Sequence, residues 1–209
     1  MRKLLGVLVV LAIIGFGAFW FLSAPRVFAA ADLPEHTPDL ANGEYIFWAG
    51  GCASCHAAPG ATGDDLLKLG GGRVLKSDFG DFNVPNISPD TENGIGEWTA
   101  LDLVNAMKRG VDDEGEHLYP AFPYTSYQRM TFEDIIDLRA YLATLPAVAS
   151  AVPETALAFP FNIRRGIGLW QLLYVDGKAL VPDPAASEAV NRGAYLTEGP
   201  GHCTQCHSP

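Results

Sequence analysis

Cysteine, methionine and histidine are all scarce in this sequence: four, three and five of each among 209 residues. Basic side chains are scarce as well, 14 against 24 acidic ones. Arg2 and Lys3 precede a long apolar run, and beyond residue 22 the balance is 12 basic to 24 acidic residues, a net charge of −12. Such a surface repels phosphate backbones and anionic headgroups, so nucleic-acid binding is excluded and a charge-steered partner should offer a basic patch. No stretch alternates apolar and polar residues for long, which removes support for a sheet-based core. No convincing acid–base pair stands out, which argues against an enzyme. What remains is 48% hydrophobic, 18% charged and 11% aromatic, the balance of a folded chain of one or two domains.

Leu4 to Leu22 is an unbroken run of 19 uncharged, mostly apolar residues. That is about the length needed to cross a hydrocarbon layer as a helix. Arg2 and Lys3 in front of it keep the N-terminus in the cytoplasm by the positive-inside rule and export the rest. Residues 1–31 therefore read as a transmembrane anchor or a signal segment. Ala29, Ala30 and Ala31 offer a cleavage site, whereas the run exceeds the usual apolar core of about 7 to 15 residues and favours a retained anchor.

Beyond a Pro-containing linker (32–39), Leu40 to Ala49 reads as a short helix stopped by Gly50 and Gly51 just before Cys52. Pro59 to Gly96 is rich in Gly, Asp, Asn and Pro and reads as loop. Thr99 with Asp102, and Thr131 with Asp134, resemble capping boxes. The first opens a helix carrying Leu101, Val104 and Met107 and ending at Gly110. The second opens one carrying Ile135, Leu138, Leu142 and Leu145 and closing at Pro146. The fold is expected to be mainly α. Residues 32–147 form a first domain, 148–185 a connector with one amphipathic piece, and 186–209 the opening of a second domain. The last assignment rests on a weak repeat. Gly43, Tyr45, Gly50, Gly51 and Cys52 are echoed by Gly193, Tyr195, Gly199, Gly201 and Cys203.

Cys52-Ala-Ser-Cys55-His56 and Cys203-Thr-Gln-Cys206-His207 are both Cys-x-x-Cys-His, the attachment signature of c-type haem. Two thiols one helical turn apart can each join a haem vinyl group, and the adjacent histidine then lies beneath the iron. Two covalent haem c groups follow, at Cys52, Cys55 and His56 and at Cys203, Cys206 and His207. Redox disulfides do not need the trailing histidine, and a four-cysteine zinc site keeps its pairs about 15 to 20 residues apart. These pairs lie 151 positions apart.

With so few methionines the search for a sixth iron ligand is short. Met130 lies at the end of the Pro120–Met130 loop and is the better candidate, because Met107 fits an apolar helical stripe; His117 is the rival. After His207 only Ser208 and Pro209 follow, so the second domain is expected to be incomplete here and to need roughly 60 to 100 further residues, the length the first domain uses.

The motif Cys52–His56, the runs Asn86-Ile-Ser-Pro-Asp90 and Gly94-Ile-Gly-Glu-Trp98, the stretch Leu118 to Tyr127 and Phe159-Pro-Phe-Asn162 resemble the multihaem cytochrome c subunits of bacterial membrane-bound alcohol, gluconate and related dehydrogenases. The resemblance spans about residues 40 to 209. It implies class I cytochrome c domains that carry electrons from a periplasmic dehydrogenase to quinone, an oxidase or another cytochrome, with the anchor in the bacterial inner membrane and the soluble part in the periplasm. Many members have Met where this chain has Phe122, others have Phe there, and Met130 matches a methionine frequent in the same loop. The competing function is a diheme peroxidase-type enzyme or a haem-based gas or redox sensor, in which one iron stays open.

Overall fold

The computed structural model describes residues 1–207. Helix α1 (Arg2–Leu22) is 21 residues long, apolar after Lys3, and contains no buried residue. At 1.5 Å per residue it is roughly 31 Å long, enough to cross a bilayer. The chain then passes through one 3₁₀ turn (Ala30–Asp32) into α2 (Leu40–Ala49), whose Asp39 cap accepts hydrogen bonds from the Ala41 and Asn42 amides. Gly51, at φ 62°, allows the reversal into the short α3 (Cys52–His56).

Two further helices complete the core, α4 (Ala100–Arg109) and α6 (Phe132–Leu142), with the single turn α5 (Tyr124–Tyr127) between them. α2 packs chiefly on α6, and α4 packs on α5 and α6. The α2–α6 crossing depends on Gly43, where an added Cβ would collide with the Asp137 carbonyl and stand 2.8 Å from the Tyr141 Cβ. Ile46, Phe47, Val104, Met130 and Ile135 fill the resulting core, each 1% exposed or less.

The start signals behave differently. Thr99 and Asp102 form the expected reciprocal capping box. At Thr131 the hydroxyl accepts from the Asp134 amide, but the Asp134 carboxylate does not return to the cap, because the Thr131 amide already donates to the Tyr195 hydroxyl. Helix α6 ends at Leu142, short of Pro146, although Leu145 is still buried. The stretch read as loop holds a 3₁₀ turn (Gly63–Leu67) and an antiparallel hairpin, β1 (Val74–Ser77) with β2 (Gly80–Asn83), joined across Asp78 and Phe79. Its strands are only four residues long and none of their residues is buried, so their sequence carries no alternation. α7 (Ile167–Tyr174) follows a 3₁₀ turn (Arg164–Gly166), and α8 (Glu188–Glu198) and α9 (Thr204–His207) end the described chain.

Candidate haem sites

The first motif occupies α3, which places Cys52 and Cys55 one turn apart and both half-buried. Burial is the largest influence on the Cys52 thiol and pushes it up to about 12. It is thus no low-pKa redox thiolate, and the sulfurs of α3 are not joined in a disulfide. His56 Nδ1 donates to the Pro85 carbonyl at 2.9 Å. That bond fixes the ring and its tautomer and leaves Nε2 for a ligand, the outer-shell arrangement that holds metal-binding histidines. Burial lowers the His56 pKa, so the ring favours its neutral, ligating form.

The loop carrying Pro85 continues into the runs Asn86–Asp90 and Gly94–Trp98. Asn86 and Ser88 are buried; the Asn86 amide donates to the Val148 carbonyl at 2.7 Å and its oxygen accepts from the Ser88 amide. Arg139 on α6 donates to the carbonyls of Trp98 (2.7 Å), Gly96 (3.1 Å) and Ile95 (3.3 Å), clamping the far end of the same loop. Gly71 donates to the His56 carbonyl, and a Cβ there would stand 2.6 Å from the Pro85 backbone, so this glycine lets the two walls meet.

Met130 is fully buried in one apolar cluster with Ala53 and Ala57, against which Cys52 and Phe122 also pack. Its backbone is held by Lys108, a cation only 1% exposed whose Nζ donates to the carbonyls of Gln128 (2.6 Å) and Met130 (2.5 Å). Burial drops the Lys108 pKa to about 8. The rivals separate. His117 has both ring nitrogens engaged elsewhere, Nε2 with the Ser23 carbonyl and Nδ1 with Gln171. Met107 is buried on α4 within the core cluster, where it fills space.

The second motif lies beside the first. α8 docks through Tyr195, whose hydroxyl donates to Asp134 and accepts from the Thr131 amide. A Cβ on Gly199 would stand 3.5 Å from Met130 Cγ, and one on Gly50 would stand 3.4 Å from the Pro200 carbonyl. The His202 ring meets Tyr127 edge-on at 5.8 Å, and Gln205 donates to the Thr125 and Ser126 hydroxyls. Cys203, Cys206 and His207 are exposed. Ser208 and Pro209 lie outside the described residues.

The donor set fits a covalently held haem: two thiols on one helical turn, an imidazole steered through its second nitrogen, a buried thioether and an apolar surround. A buried donor also lacks a partner. Arg73 Nε makes no hydrogen bond, on the segment that reaches His56 through Gly71, and a haem carboxylate would supply an acceptor of the right charge. Sequence reasoning missed Pro85, Lys108, Arg139 and Tyr127. Lys108 alone left a signal, a cation four residues after Val104 on an apolar stripe.

Residues 40–146 match the model of the family described as Cytochrome c. The chain is 47% identical, over its whole length and 70% of the relative's, to the diheme cytochrome c-type protein of Cereibacter sphaeroides. It is 38% identical to the fructose dehydrogenase cytochrome subunit of Gluconobacter japonicus, over 83% of this chain and 35% of that one. It is 34% identical to the alcohol dehydrogenase (quinone) cytochrome c subunit of Komagataeibacter europaeus, over 90% of this chain and 41% of that one. The chain thus spans well under half the length of these two dehydrogenase subunits.

The helical core, the attachment motif and these relatives define one class: this chain belongs to the cytochrome c family. It is an electron-transfer protein with covalently bound haem c, and its two motifs fit the diheme relative.

Proposed function

We propose that this protein passes electrons one at a time from a periplasmic dehydrogenase to the respiratory chain, held at the inner membrane by α1. One observation carries the reading: the second motif is packed against the wall of the first, with Tyr127 and His202 in contact between them. Adjacent centres let an electron hop instead of crossing one long gap.

Within this reading Cys52 and Cys55 tether the first haem, His56 Nε2 and Met130 ligate its iron, and Cys203, Cys206 and His207 serve the second, with His207 as its ligand. The first domain is residues 32–147, the connector 148–185, and the second domain opens at 186. A bound haem supplies a reversible one-electron couple. The protein's own groups do the rest. The Pro85 carbonyl holds His56 in one orientation through either charge state. Lys108 pins the Met130 carbonyl, and the apolar cluster around that thioether keeps water from the ligand. Both limit the rearrangement that each electron transfer would otherwise require.

The dehydrogenase partner is supported by the named roles of the fructose and alcohol dehydrogenase cytochrome subunits, and its surface should be basic, because this chain carries −12 beyond residue 22. Replacing Met130 with Ala tests the ligand set in the haem-loaded protein. The expected result is a lower potential for one haem and carbon monoxide binding that the wild type lacks at that site. An unchanged spectrum and potential would move the sixth ligand away from Met130.

A further inference from the structure

α7 has no charged side chain, and only Gly168 and Gln171 of its eight residues are buried. Leu169 and Leu173, one turn apart, are exposed, Leu173 to 77%. The loop before it leaves Phe159, Phe161 and Ile163 exposed as well. Phe79 of the hairpin turn meets Phe161 edge-on at 4.9 Å, which extends the loop's apolar surface to the hairpin. Exposed apolar side chains clustered in this way on an otherwise acidic protein mark an interaction surface.

What covers it follows from where α7 begins. Ser23, the residue that ends α1, is fully buried against this element. A Cβ on Gly168 would collide with the Ser23 carbonyl, which His117 also engages. Arg165 donates to the Trp20 carbonyl (2.8 Å) and the Ser23 hydroxyl (3.0 Å), and its guanidinium lies 4.3 Å from the centre of the Trp20 ring. α7 is therefore fastened to the exit point of the apolar rod. The exit point of a spanning helix lies at headgroup level, where Trp, Tyr and Arg are favoured, and Trp20, Trp170, Tyr174 and Arg165 all lie here. Of the nearby acids, Asp112 and Glu116 pair with Arg164 and Asp176 pairs with Arg129, while Asp78 beside Phe79 is exposed.

We propose that α7 and the 159–163 loop lie in the outer interface of the lipid bilayer, so that the haem domain is pinned to the membrane in one orientation. This rests on the reading that α1 spans the bilayer. The mode is that of an interfacial helix added to a spanning one.

Site-specific photocrosslinking in the full, haem-loaded chain in bacterial membranes separates the two claims. Benzophenone side chains are placed singly as Leu173→p-benzoylphenylalanine, Ile13→p-benzoylphenylalanine and Glu97→p-benzoylphenylalanine, all at exposed positions. Glu97 lies beyond the far end of α4 from Arg109, roughly 15 Å of helix away from the α7 contact. Phospholipid adducts, read by mass spectrometry, are expected at 13 and 173 and lost at 97. Adducts at 13 but not 173, protein adducts alone at 173, or equal lipid labelling at 97 and 173 would each overturn the docking face while leaving the span intact. No lipid adduct at 13 would overturn the span, and the docking face with it.

Discussion

Replacing Lys108 with methionine keeps an unbranched side chain of similar length and removes one buried charge. In the folded protein that charge is held by two carbonyls, of Gln128 and Met130, and has no carboxylate among its hydrogen-bond partners. Burial first, then the nearby Arg109 and Arg129, lower its pKa from 10.5 to about 8. At about 1.4 kcal/mol per pH unit the displacement corresponds to about 3 kcal/mol. The sign follows from proton counting. Between pH 8 and 10.5 the unfolded chain keeps the lysine proton that the folded protein has released, so stability rises with pH through that window. Below it the full penalty applies. The difference in unfolding free energy, wild type minus Lys108→Met, should therefore shift in favour of the wild type by about 3 kcal/mol between about pH 7 and about pH 11. Chemical denaturation of the two haem-loaded proteins, followed by far-ultraviolet circular dichroism, measures it, and the subtraction cancels groups common to both. A difference that does not change with pH would refute the reasoning, since the lysine would then ionise alike folded and unfolded.

Two further changes probe how the site is held together. Gly43→Ala should destabilise the protein by about 1 to 3 kcal/mol, because the new methyl group forces α2 away from the Asp137 carbonyl; a melting temperature equal to wild type would show that the crossing is not close. Tyr195→Phe removes hydrogen bonds to Asp134 and from the Thr131 amide and should cost about 1 to 3 kcal/mol. It should also speed amide exchange in α8, and unchanged exchange there would mean that α8 is held by other contacts.

The helices around the first motif were legible because their signals are local. Thr99 and Thr131 each accept a hydrogen bond at the start of a helix, and Gly51 and Gly110 take the left-handed turns that end the runs before them. The two Cys-x-x-Cys-His motifs were equally plain, since the chemistry of haem attachment fixes both residue type and spacing. What could not be read is what depends on distant backbone. The acceptor for His56 is the carbonyl of Pro85, a group every residue possesses, brought near by the Gly71 turn. Asp134 looked like half of a capping box, but Tyr195, 61 residues on, claims its carboxylate. The hairpin escaped because none of its strand residues is buried, so no apolar face alternates with a polar one. The packing of α9 beside α5 is likewise a contact between segments some 80 residues apart, made by Gln205 and Thr125.

The central claim is that electrons from a dehydrogenase pass through this chain. It is tested most directly by stopped-flow spectroscopy of the haem absorbance in membranes holding this protein and a candidate dehydrogenase, with and without that enzyme's substrate. The account predicts substrate-dependent reduction of both haems, slowed as salt rises because the −12 surface draws a basic partner. Haems that no dehydrogenase reduces, in a protein that turns over peroxide or binds carbon monoxide without mutation, would contradict it.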